Sequence, residues 1–340
     1  MNQYPALRGS WPLIPIATLL AAGCGARSGA DTPEASSGSA DSQGTGGVPG
    51  KAANGGTKGS AIGGITGTTS PGAIGTVGTT ACTDPLTIAD PYVESWVRAA
   101  INVPNGPIHP TNLAGLTDLF MVEPAGTPID PPPGYVGPVT SLTGVECLSN
   151  LRTLYFEAYF VDLAPLSRVP NLKVLRLLEA WETNVPLLPQ VTEFRGDLHS
   201  NTAAVLSALP SLKVLNLIRS DFSTAEARAA LSELTGLTEL RLPGAGLIDT
   251  APLAPLSLLT VVDLNSNQIR DISSLSSLVG LQSLDLTGNQ ITDLSPLVAN
   301  ISLFDQPTIA LGANPIDCTA QAQNIETLRS RGVTLTVDCP

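Results

Sequence analysis

A frame of apolar positions returns along this chain at intervals of about 22 residues, and this self-similarity restricts the fold more than any other feature. The frame is L-x-x-L-x-L-x-x-N. It reads Leu237, Leu240, Leu242, then Leu259, Val262, Leu264, Asn267, then Leu281, Leu284, Leu286, Asn289. Upstream it continues as Leu212, Leu215, Leu217, as Leu172, Leu175, Leu177, and as Leu151, Leu154, Phe156. Val191 and Phe194 supply a degenerate turn whose last apolar position is Gly196, which makes that coil the weakest. Ile309, Leu311 and Asn314 close the series, and Leu116, Leu119 and Met121 offer an earlier turn.

The L-x-L core of each frame has period 2, the signature of a short strand with alternate residues pointing inward. One such coil cannot bury its own apolar face, so coils must stack and share a core. Eight parallel strands at about 4.8 Å each span roughly 38 Å. Asn267, Asn289 and Asn314 stand where an inward amide can satisfy backbone groups of adjacent coils, forming a ladder. Pro252, Pro255 and Pro296 disfavour long helices on the return side, which should be 3₁₀ or irregular. A leucine-rich helical bundle would explain L-x-x-L but not the added L-x-L or the Asn-x-Ile.

A solenoid exposes core at its ends and needs lids. Asp90-Pro91 reads as an N-cap with Pro at the first helical position, and Val93, Trp96, Val97, Ala100 and Ile101 follow as one helical stripe. At the far end Ala322, Ile325 and Leu328 form a second stripe stopped by Gly332, and Val333, Leu335 and Val337 alternate as a strand. Two irregularities interrupt the repeat. Residues 124–138 hold six prolines and no periodicity, which predicts a loop. Ser223-x-x-Glu226 reads as a capping box opening a true helix over Ala227, Ala230, Leu231 and Leu234.

The stretches Asn-Gln-Ile-Arg-Asp-Ile-Ser-Ser-Leu (267–275) and Asn-Gln-Ile-Thr-Asp-Leu-Ser-Pro-Leu (289–297) resemble the 22-residue leucine-rich repeats of internalin-type bacterial surface proteins. The resemblance is specific over about 237–317 and diffuse over 142–236, where Tyr159, Ala180, His199, Ser220 and Ala245 replace the ladder Asn and the coils should be less regular. It implies an α/β solenoid of the leucine-rich-repeat class, with parallel strands on a concave face, an irregular or 3₁₀ convex side and helical caps at both ends.

The front of the chain reads as an export signal. Residues 1–23 carry Arg8 and an apolar run from Trp11 to Ala22, shorter than the roughly 20 residues a membrane-spanning helix needs. Leu20-Ala21-Ala22-Gly23-Cys24 resembles a bacterial lipobox, in which the Cys24 thiol would take the lipid. The alternative is an ordinary secretory peptide with an incidental Cys24. Residues 24–80 are rich in Gly, Ser and Thr and nearly free of large side chains, so they read as a disordered tether reaching roughly 40 Å. The domain order is then the signal over 1–23, the tether over 24–80, an N-terminal cap over 81–141, repeats over 142–317 and a C-terminal cap over 318–340. With Cys24 lipidated, four cysteines remain and allow three pairings. We favour Cys82–Cys147 and Cys318–Cys339, one bridge at each end of the body.

A net charge of −12 argues against nucleic acid, which needs a clustered basic footprint. The chain has no Gly-x-Ser-x-Gly, no His-Glu-x-x-His and no Walker loop, and neither His109 nor His199 has a ligand or nucleophile in recognisable spacing. No enzyme activity, cofactor or metal is therefore expected. The residues between the strand leucines should face the concave side. They are Tyr155, Arg176, Arg195, Asn216, Arg241, Asp263, Asp285 and Ala310, followed along each strand by Glu157, Leu178, Asp197, Ile218, Pro243, Asn265, Thr287 and Gly312. Arg176, Arg195, Arg219 and Arg241 collect in the first half, Asp263 and Asp285 in the second, with Leu178 and Ile218 as exposed apolar groups among the arginines. Arginine and exposed apolar groups are what interface cores favour. The candidate partner-binding residues are thus Tyr155, Arg176, Leu178, Arg195, Ile218, Arg219, Arg241, Asp263 and Asp285. The two aspartates alone supply too few oxygens for calcium. The expectation is a monomeric, exported protein, anchored by lipid alone to the outer membrane or cell surface, that binds a protein or glycan in adhesion or recognition. A passive envelope component and an inhibitor of a secreted hydrolase are the alternatives.

Overall fold

The computed structural model describes residues 82–121, 139–157, 161–180, 185–198, 201–304 and 306–339. The expected signal over 1–23, Cys24, the expected tether over 24–80, the proline-rich stretch 124–138, Tyr159 and His199 lie outside the described residues.

Among the described residues ten parallel strands form a single sheet in strict sequence order. They are β1 (Asp118–Phe120), β2 (Thr153–Glu157), β3 (Val174–Ala180), β4 (Glu193–Leu198), β5 (Val214–Ile218), β6 (Glu239–Arg241), β7 (Val261–Asp263), β8 (Ser283–Asp285), β9 (Thr308–Ala310) and β10 (Thr334–Thr336). The helices are α1 (Pro91–Ile101), α2 (Thr202–Ser207), α3 (Ala225–Ser232), α4 (Ser295–Ala299) and α5 (Ala322–Ser330). Each expected frame supplies one strand, β1 comes from the Leu116–Met121 turn, and β10 is the alternating stretch before Cys339. The inward leucines Leu154, Leu175, Leu215, Leu240 and Leu284 are at most 2 % exposed.

A repeated backbone device sets the register. The carbonyl just before each strand accepts two successive N–H groups from the next coil. Arg152 O takes Lys173 N and Val174 N at 2.8 and 2.9 Å, and Thr260 O takes Gln282 N and Ser283 N at 2.8 and 3.1 Å. Two steps depart: Gln282 O receives Thr308 N alone, at 2.9 Å, because Pro307 has no N–H, and Pro307 O receives Thr334 N alone, at 2.9 Å.

The asparagine ladder is built as its spacing suggested. Asn289 Nδ2 donates to Leu264 O (3.0 Å) and Leu286 O (2.9 Å), and its Oδ1 accepts from Ile269 N at 3.0 Å. Asn267 and Asn314 repeat the pattern on Leu242, Leu264 and Leu247, and on Leu286, Leu311 and Ile291. Upstream, Ser220 Oγ keeps one of these bonds, accepting from Leu198 N at 3.1 Å. The coils without the amide are not short of strand: β2 to β5 run five to seven residues, while β6 to β9 run three. The strand β6 has Ala245 at its ladder position and still runs three residues; there the Asn267 amide of the next coil takes Leu242 O at 2.8 Å. The expected irregularity takes the form of a register shift between Leu177 and Ala180.

The return side holds 3₁₀ turns at Ala164–Arg168, Ala251–Leu253 and Ser273–Ser277, with the short α4. Pro165, Pro252 and Pro296 stand in first turns, where a missing N–H costs nothing. Asp162, Asp249, Asp271 and Asp293 each accept, through Oδ1, the N–H two residues on, at 2.8–3.0 Å. This Asx turn repeats as faithfully as the ladder. The helix α3 forms, but its cap is Thr224, whose side chain accepts from Ala227 N at 3.2 Å, not Ser223. Ser223 N is already bonded to Asp221 Oδ1 at 2.8 Å, which delays helix entry by one residue.

Both lids are present. Asp90 caps α1 through Oδ1 and holds the first coil through Oδ2, which accepts from Thr140 N and Thr140 Oγ1 at 2.7 Å. Of the expected stripe only Val93 and Val97 are fully buried; Trp96 and Ile101 are half-buried and Ala100 is exposed. At the far end Ile325 and Leu328 are buried while Ala322 is exposed. The bridges Cys82–Cys147 and Cys318–Cys339 fasten the two ends.

Candidate functional site

The outward face of the strands carries one unbroken row. In register across the sheet stand Phe120, Tyr155, Arg176, Arg195, Asn216, Arg241, Asp263, Asp285, Ala310 and Thr336. The pleat brings these side chains together because each is the middle residue of an L-x-L and successive residues alternate faces. Phe120 and Thr336 extend the row beyond the expected members.

The arginines do not stand as bare charges. Arg195 Nε donates to Glu193 Oε1 at 2.6 Å, and Arg176 Nη2 lies 3.5 Å from the same oxygen. Arg241 Nε donates to Glu239 Oε1 at 2.8 Å. Arg219 pairs with Asp197, whose carboxylate is fully buried rather than facing the partner side. Strand alternation made Glu193 and Glu239 readable in advance, since Glu-Phe-Arg and Glu-Leu-Arg place the two charges on one face. The first half of the face is therefore a set of ion pairs, not a basic patch. Asp263 and Asp285 have no ion pair among the described residues. Asp263 Oδ1 accepts from Asn265 N and Nδ2 at 3.1 and 2.6 Å, and Asp285 Oδ1 from Thr287 N at 2.9 Å.

Exposure sorts the remaining candidates. Tyr155 is only 7 % exposed, and burial first, then Asp197 and Glu157, push its phenol upward against the opposing pull of Arg176. It is a support beneath the face more than a contact on it. Ile218 is 39 % exposed, Phe120 38 %, and Leu178 half-buried. A separate cleft of about 420 Å³ lies before β8 and β9, lined by Val279, Leu281, Gln282, Ser302, Phe304 and Pro307. Among the described residues no group of three metal-ligating side chains converges.

Short parallel strands in sequence order, an inward amide ladder and 3₁₀ returns define a leucine-rich-repeat solenoid. Residues 257–299 match the family described as Leucine Rich repeats, in two copies. Over those residues the chain carries leucine-rich repeats, and its fold is that of a leucine-rich-repeat solenoid. Solved structures similar to it include an internalin of Listeria monocytogenes, with 17% identity over 74% of this chain and 91% of that one and a TM-score of 0.42. Internalin C2 of the same organism gives 21% identity over 74% and 94% and a TM-score of 0.43. A leucine-rich-repeat protein of Leptospira interrogans gives 20% over 59% and 52% and a TM-score of 0.46. No curated protein sequence matches the chain.

Proposed function

We propose that this is an exported recognition protein that binds a protein partner on the outward face of its strands and is held to the cell envelope by a lipid on Cys24. The observation that carries the reading is the register row itself. It sets exposed Phe120, with Ile218 two residues beyond Asn216, on one face with arginines whose aliphatic stems and guanidiniums are about a third exposed. Apolar and arginine side chains on one rigid sheet are the composition of an interface core. The two disulfides fit an oxidising compartment outside the cytosol. The lipobox-like Leu20–Cys24 and the Gly-rich stretch behind it supply the anchor and the leash, so the body works at a distance from the membrane in adhesion or recognition.

Photocrosslinking tests the face. A benzophenone side chain placed at Asn216 should capture a partner on cells, and the same group at Ser276 on the return side should not. Capture from Ser276 alone would move the binding surface off the strands. Metabolic labelling with palmitate tests the anchor, and label retained after Cys24→Ser would exclude it.

A further inference from the structure

Arg176 and Arg195 are register partners on adjacent strands, and they share a single counter-ion oxygen, Glu193 Oε1. Among the described residues no other acid balances them. Asp197 is buried and paired with Arg219, and no hydrogen bond or ion pair joins Glu157 to either guanidinium. Arg176 is also poorly held. Its contact to Glu193 is long, at 3.5 Å, and its Nε is buried without an acceptor. A cationic N–H removed from water and left unpaired is unfavourable, so the side chain gains by turning toward an incoming acceptor.

We propose that Arg176 and Arg195 form a carboxylate subsite that takes an acidic side chain of a protein partner. A planar carboxylate matches the guanidinium fork and can be held by two parallel N–H bonds. The surroundings favour a protein over a sugar. The ring beside the pair, Tyr155, is 7 % exposed and offers no stacking face, while Ile218 across the sheet is an exposed aliphatic contact. The row also gives the partner a polarity. Arg241 is offset by Glu239, and Asp263 and Asp285 carry negative charge four and five strand spacings from Arg176, about 19 and 24 Å away. The partner therefore presents acid over β3 and β4 and base over β7 and β8.

This inference rests on the strand-face reading, and its test does not need the natural partner. Purified full-length protein is titrated at low salt with an acetylated hexaglutamate peptide and, separately, with an oligogalacturonate. Arg176→Gln and Arg195→Gln should each weaken peptide binding roughly fivefold or more, and Arg270→Gln on the return side should leave it unchanged. Glu193→Gln separates a subsite from a structural ion pair. It removes the internal competitor, so it should tighten binding severalfold while lowering thermal stability. Unchanged or weaker binding by Glu193→Gln, or an equal loss in Arg270→Gln, overturns the subsite. Oligogalacturonate bound more tightly than peptide through the same arginines overturns the protein assignment. If the arginine variants bind peptide normally but a partner still crosslinks from Asn216, only the subsite falls and the strand-face reading stands.

Discussion

Asn289 satisfies three buried backbone groups in two coils with one amide, and its own side chain is withdrawn from water. Truncation leaves Leu264 O, Leu286 O and Ile269 N without that partner. Ile269 N is then left unsatisfied, at about 1–3 kcal/mol, while Leu264 O and Leu286 O keep bonds from Asn267 and Asn314, so Asn289→Ala should lose about 2–4 kcal/mol in urea unfolding. Ser220→Ala removes the bond from Leu198 N and a long one to Ile218 O, and should lose about 1 kcal/mol. Asp90 gives a pH prediction. Burial opposes its charge, but bonds from Thr140, Val93 and Tyr92 outweigh burial and hold the carboxyl below its ordinary value. A carboxyl lowered on folding stabilises the ionised native state, fully so above its unfolded pKa. That contribution is lost as pH falls below about 4 and on through the folded value. Acid titration by circular dichroism should show the N-terminal lid loosening in that window, and Asp90→Asn should be less stable at pH 7 and flatter below pH 4.

Gly196 decides how β4 meets its neighbours. A Cβ there would lie 1.9 Å from Leu177 O, so the strand approaches β3 more closely than any side chain allows. The missing leucine does not make this coil weak; the strand runs six residues and pairs on both sides. Gly196→Ala should therefore break pairing between β3 and β4. The expected cost is about 3 kcal/mol or more, among the larger values for one substitution, with amide exchange accelerated in both strands. The same element shows how far sequence reading reaches. Leu-x-Leu alternation marked every strand, because period 2 is set by backbone geometry alone. It could not show that a glycine marks close approach rather than a gap, because that depends on how far apart two coils lie. Helix α2 went unread for a related reason: Thr202–Ser207 has one short apolar pair, Val205 and Leu206, and is fixed by packing against α3.

The molecule is a one-dimensional stack in which each coil leans on its two neighbours, so its stability is set by nearest-neighbour interfaces and its ends are the weak points. The two disulfides sit at those ends, with sequence separations of 65 and 21. The chain-entropy estimate gives about 4 kcal/mol for Cys82–Cys147 and about 3 kcal/mol for Cys318–Cys339. Paired Cys→Ser variants should lower the melting temperature in that order. Hydrogen exchange should rise first at the lid whose bridge was removed and leave β5 to β7 protected. A uniform rise across the sheet would mean that the stack unfolds as one cooperative unit.

The periodic leucines and the ladder asparagines were enough to determine the solenoid and its strand positions, the apolar stripes of 93–101 and 322–328 pointed to its lids, and of the three pairings open to four body cysteines the favoured one is found. The solenoid and its strands follow from a local rule repeated coil after coil, and a repeated rule is visible in one dimension. The charge state of the outward face was not visible in the same way. Alternation alone puts Glu193 and Glu239 on the face of Arg195 and Arg241, but the sharing of Glu193 with Arg176 on another strand and the burial of Asp197 against Arg219 come from the stacked coils. Which ions meet is settled by distances of a few ångströms between side chains on different strands, and only the stacked coils fix those distances.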